Sequence, residues 1–208
     1  MRRRAAVAVG VVAVLVIGGI VLLGGDVPLI DGGTKGPHDF IFQLRKVHAT
    51  PITRTPPSEL HEVAREAGAG VKETMDELYF RAFVDQGSWG DYGAVFELFE
   101  GQAATRAGSD EDVLTLGPTA NDDFASLDHT SGTLTISVLT DAKDAPVSAV
   151  AQVEFEATAE AKGGGSSTKI VSIGSFFLRQ VDGAWRIFAY QVDREDGSTT
   201  TSPSGSPS

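Results

Sequence analysis

The 208-residue chain contains no cysteine. Disulfides, thiol nucleophiles, thiolate zinc sites and a lipid-bearing cysteine are thereby excluded. Positive charge is scarce: 17 Lys and Arg stand against 28 Asp and Glu, a formal net charge of −11. Removing the three positive charges of Arg2, Arg3 and Arg4 takes the remainder to −14. A surface of that sign repels phosphate backbones and anionic head groups, so nucleic acid is excluded as a partner. Histidine is thin as well. His38, His48 and His61 fall in connecting sequence or a first helix, and His129 follows Asp128 at an expected turn. No pair of them has the spacing that holds a metal on one helix face. No serine sits in a G-x-S-x-G elbow. The acidic clusters Asp110-Glu111-Asp112 and Asp122-Asp123 lack the D-x-D-x-D-G order of a calcium loop and read as solvated loops. No catalytic residue, cofactor or metal is implied.

What the chain does have is an uncharged apolar run, Ala5 to Leu23, set behind Met1-Arg2-Arg3-Arg4. As a helix its 19 residues would cover roughly 28 Å, close to the hydrocarbon thickness of a bilayer. A cleaved signal peptide would have a shorter apolar region and a small-x-small cleavage site; Gly24-Gly25-Asp26-Val27-Pro28 offers small residues but no A-x-A. A buried core helix would rarely be apolar all round and flush with three arginines. The run therefore reads as a transmembrane anchor in contact with the lipid bilayer. Arg2, Arg3 and Arg4 set its topology, with the amino terminus cytoplasmic and the rest of the chain outside a cell membrane. The Ala, Gly, Val, Asp and Thr bias, with little Lys, is associated with high-GC bacteria.

Residues 1–25 are thus a basic tip and membrane helix, and 26–57 a Gly- and Pro-containing tether. Within that tether Phe40, Phe42 and Leu44 alternate as in a strand and are expected to pack on the domain or a partner. Residues 58–196 form the domain. Ser58 is placed to cap a short helix to about Ala67, which Gly68 and Gly70 interrupt. Val71, Met75, Leu78, Ala82 and Phe83 then share one helical face to Asp85. A second helix is expected over Asp91–Ala107, with Tyr92, Val95, Phe96, Phe99 and Ala103 inward. From Val113 the period becomes two: a short edge piece at Val113–Leu116, then strands over Thr133–Thr140, Val147–Ala159, Thr168–Val181 and Ala184–Asp193, with an Asp182-Gly183 hairpin turn. Residues 197–208, all Gly, Ser, Thr and Pro, are expected to be disordered. Helices first and hairpin-linked strands after give an α+β fold, amphipathic helices on a curved antiparallel sheet of about four strands.

The two helices, Trp89, and the ending Gly183-Ala184-Trp185-Arg186-Ile187-Phe188-Ala189-Tyr190-Gln191-Val192 resemble the nuclear transport factor 2-like (cystatin-like cone) superfamily, over about Val71 to Arg194. Behind a membrane anchor, such a domain is similar to the mammalian-cell-entry-associated membrane proteins of actinobacteria. That resemblance implies a non-enzymatic role in envelope assembly, transport or a cell-wall system, with a protein partner in the envelope and an oligomer open. Other members of the superfamily are isomerases or dehydratases, which leaves a small-ligand or isomerase-like cone domain as the alternative. Tyr79, Phe83, Trp89, Tyr92, Phe96, Phe176, Trp185, Phe188 and Tyr190 are the candidate lining of a cone pocket. The competing reading makes them an aromatic core.

Overall fold

The computed structural model describes residues 40–51 and 60–200. The apolar run Ala5–Leu23 and the Ser58 cap lie outside the described residues. Among those described, no helix is long and apolar enough to cross a membrane.

The first element is strand β1, Gln43–Pro51. Helix α1, His61–Tyr79, follows. It continues into a five-residue π-helical turn, Phe80–Val84, and a short 3-10 turn, Gln86–Ser88. Four short helices come next: α2 Gly93–Phe96, α3 Gly101–Ser109, α4 Glu111–Leu114 and α5 Ala120–Asp123. The strands are β2 Phe124–Thr140, β3 Pro146–Ala161, β4 Ser166–Val181 and β5 Ala184–Thr200.

All five strands form one sheet in the order β1-β2-β3-β4-β5. The sheet has five strands rather than about four because the alternating Phe40–Val47 stretch leads into a member of it. β1 pairs parallel with β2, and the remaining pairings are antiparallel. Phe40 and Phe42, just ahead of β1, are buried in the core. Irregular register in β1 at Leu44/Lys46, in β2 at three places and in β5 around Phe188 bends these long strands. Asp182 and Gly183 both have positive φ, as the expected two-residue turn requires.

The helices cover one face. In α1, Ala64, Ala67, Gly68, Val71, Met75, Leu78 and Tyr79 are buried, a stripe of helical period. Fully burying each of the larger apolar side chains in this stripe stabilises by ~1.5–3 kcal/mol. Gly68 and Gly70 do not interrupt the helix. They are close-approach positions: a Cβ on Gly68 would lie 2.8 Å from Val47 Cγ1, and one on Gly70 2.7 Å from Trp185 Cδ1. The glycines let β1 and the start of β5 meet the helix, and that packing outweighs their poor helix propensity.

The expected helix over Asp91–Ala107 is two helices. Between them the chain extends, and Phe99 makes a parallel bridge to Ile187. Glu100 N donates to Ile187 O at 2.9 Å and Ile187 N to Leu98 O at 3.0 Å, so this link covers part of the β5 edge. Gly101, at φ 55°, starts α3 where a helix running straight through would have lost those bonds. Val113–Leu116 is likewise not an edge strand, since Val113 and Leu114 belong to α4. His129 lies within β2 rather than in a turn, its ring edge-on to Phe40 at 5.2 Å. At the far end β5 runs to Thr200, so residues 197–200, expected as tail, pair with β4. Glycine and hydroxyl residues carry no apolar pattern, and here the partner strand's backbone suffices to extend them.

Candidate functional site

The covered face of the sheet is where a cone pocket would lie. Tyr79 ends α1 with its ring at its centre. It lies 5.4 Å from Phe83, 5.2 Å from Phe155, 5.0 Å from Phe42 and 6.1 Å from Phe176, centroid to centroid. Edge-on and stacked geometries at these spacings are those of packed aromatic side chains. Phe176 continues to Tyr190 at 6.4 Å, and Tyr190 to Phe99 at 5.4 Å.

Of the nine candidate lining residues, Tyr79, Phe83, Trp89, Tyr92, Phe176, Trp185 and Tyr190 are buried in this core. Phe96 is half-buried against it. Phe188 is not part of the group. It is the extra residue where β5 slips register and points to the opposite face, against Phe177 at 6.4 Å and under the Arg179 guanidinium at 5.6 Å. Phe40, Phe42, Phe99 and Phe155 also belong to the cluster. The strand-like alternation places Phe40 and Phe42 against the domain or a partner, and they pack on the domain.

The polar atoms of Tyr79, Trp89 and Tyr92 are engaged. The Tyr79 hydroxyl meets Ser172 Oγ at 2.9 Å. Trp89 Nε1 donates to Phe83 O at 2.9 Å, and the Tyr92 hydroxyl to Gly117 O at 3.3 Å. Burial pushes the phenols of Tyr79 and Tyr92 above the usual tyrosine range. Each therefore stays protonated at neutral pH.

Two clusters hold ionisable groups near the core. Tyr190 donates to Asp110 Oδ2 at 2.9 Å, Arg106 Nε donates to the same oxygen at 2.8 Å, and the Arg106 guanidinium sits 4.6 Å over the Tyr190 ring. Burial, reinforced by the Asp110 carboxylate, raises the Tyr190 phenol. This triangle latches the end of α3 to β5. In the second cluster, Asp76 Oδ1 accepts from Phe42 N at 2.8 Å and Oδ2 from Lys72 Nζ at 2.6 Å. Burial raises the Asp76 carboxyl despite both bonds. Asp76 thus spends both oxygens fixing the entry to β1 on α1. Such side chains perturb as candidate acids do, but their partners here are structural. Among the described residues, no group of three or more His, Asp or Glu side chains is placed to hold a metal.

The opposite face of the sheet is open. Ile173 is 54% exposed, and Leu139 and Phe188 are each 39% exposed. Ile173 lines a groove of about 410 Å³ together with Glu154 and Asp193 in its own row and Thr135, Gln152, Ser175 and Gln191 in the next. The last four are polar residues within alternating strands. Their convergence depends on pairing register, which a single strand's pattern does not carry.

No protein-family model matches the chain. No curated protein matches it either. Among solved structures, the chain is similar to a hexachlorocyclohexane dehydrochlorinase (LinA) type 2, with a TM-score of 0.42 and 12% sequence identity, over 68% of this chain and 93% of that one.

Proposed function

We propose that the chain is a non-enzymatic interaction module, held at a membrane by Ala5–Leu23 with its α+β domain outside, serving an envelope assembly, transport or cell-wall system. The observation that carries this reading is the contrast between the two faces of the sheet. One is closed by helices and interlocked rings. The other presents Leu139 and Phe188 to solvent, with Val150 and Phe177 half-buried beside them. Contiguous apolar side chains on an otherwise polar, anionic protein mark a contact surface. We place the partner at the Leu139–Phe188 end, where Arg179 and Arg186 are also exposed or half-exposed and supply a polar rim.

The lack of native cysteine makes the topology directly testable. Lys143→Cys, in the exposed turn between β2 and β3, should react with a membrane-impermeant maleimide in intact cells, whereas Arg3→Cys should react only after lysis. A pull-down from detergent-solubilised membranes should then recover a protein partner that Leu139→Asp with Phe188→Asp releases. Protection of Lys143→Cys, or a co-purifying small molecule with no protein partner, would sink the reading.

A further inference from the structure

The outward face also holds a polar strip that neither the core nor the apolar end uses. Pairing sets Thr135 opposite Gln152, Gln152 opposite Ser175, and Ser175 opposite Gln191. Four strands at about 4.8 Å spacing spread this row over roughly 14 Å. Two hydroxyls and two carboxamides offer both donors and acceptors and no net charge. Along β4, Ile173 lies two residues from Ser175, shares its face and lines the groove. In the next row, Ile173 stands between Glu154 on β3 and Asp193 on β5. Arg45 lies 3.6 Å from Glu154 and partly offsets that carboxylate.

We propose that this groove binds a short neutral oligosaccharide. Each sugar hydroxyl is both donor and acceptor and so matches a carboxamide or hydroxyl on the row. Glu154 and Asp193 accept from further hydroxyls, and the C–H face of one ring lies against Ile173. An anionic glycan meets two carboxylates on a chain of net charge −11 and is repelled. An extended peptide finds its backbone partners at a sheet edge rather than on a face. A second copy stacked face to face about a two-fold axis would bring Glu154 and Asp193 toward their own counterparts.

The site is separate from the Leu139–Phe188 end, so its test does not depend on the protein partner. The full chain, reconstituted in nanodiscs free of glycolipid and of sugar-based detergent, is titrated calorimetrically with chitohexaose, maltohexaose and xylohexaose. Saturable binding of at least one is expected. Gln152→Ala should weaken it about tenfold and Gln191→Ala should weaken it further, because sugar hydroxyls lose their partners. The melting temperature should stay unchanged in both variants. Failure of all three sugars to bind, binding indifferent to both substitutions, or a dimer that Gln152→Arg dissociates would overturn the proposal.

Discussion

The Tyr79 hydroxyl and Ser172 Oγ lie 2.9 Å apart in the closed interior, joining the end of α1 to the middle of β4. Both residues are almost wholly buried, at 2% and 1% exposure, so neither hydroxyl has water as a ready substitute. Removing one partner strands the other. Tyr79→Phe and Ser172→Ala are each expected to cost ~1–3 kcal/mol, and the double variant less than the sum. Denaturant titration of the four proteins measures the coupling. Strict additivity would show that the contact contributes nothing.

Gly68 and Gly70 make a second pair of expectations. Alanine in a helix gains up to ~1 kcal/mol over glycine when nothing else changes. Here the new methyl groups would collide with Val47 and Trp185, and overpacking costs ~1–3 kcal/mol. Gly68→Ala and Gly70→Ala should therefore lower stability rather than raise it. Gly70→Ala should cost clearly less in a Trp185→Leu background, where the indole is gone. Thermal unfolding of the single and double variants checks both statements.

The same two glycines show why some of the fold was legible from sequence and some was not. The stripe Val71, Met75, Leu78, Ala82 and Phe83 and the alternation of β2 to β5 are local periodicities, and all five stripe residues are buried. Asp182-Gly183 signals its turn by backbone preference alone. Gly68 and Gly70 looked like helix breakers because the contacts that require them come from β1 and β5, distant in sequence. β1 itself was visible as alternation but not as a sheet member, since a parallel partner some 90 residues on leaves no local mark. The inward Ser172 breaks an apolar alternation between Ile170 and Phe176, a signal that a polar partner waited inside. Register bulges hid the outward turn of Phe188 from the aromatic group.

Arg194 is expected to organise the segment after α3. Its side chain is only 9% exposed. It donates to Asp112 O at 2.8 Å, to Thr115 O, and through two nitrogens to the Asp196 carboxylate at 2.8 and 2.6 Å. A lysine has no planar fork with which to reach both carbonyls and the carboxylate together. Arg194→Lys should cost ~1–3 kcal/mol by leaving carbonyls unpaired. Amide exchange should rise around residues 110–117 before it rises in the strands. Uniform exchange across the domain would mean that the arginine acts only on global stability.

Asp76 gives the chain a pH dependence with a definite sign. Burial lifts its carboxyl above the ordinary value even though Phe42 N and Lys72 stabilise the carboxylate. The folded state therefore holds this proton more tightly than the unfolded chain does. The contribution of Asp76 is most favourable below the unfolded pKa of about 3.9. It declines as pH rises from there through the raised folded value, and is constant above. Asn at this position cannot titrate, but its carbonyl can still accept from Phe42 N. The stability of the wild type relative to Asp76→Asn should therefore fall with rising pH across that window, and then level off. The difference between the two proteins, followed by urea titration at intervals from pH 3 upward, removes the titration of carboxylates common to both. A difference that instead grew in favour of the wild type with rising pH would mean that the Lys72 and Phe42 bonds outweigh burial, and that the β1 attachment rests on an ion pair rather than on a buried acid.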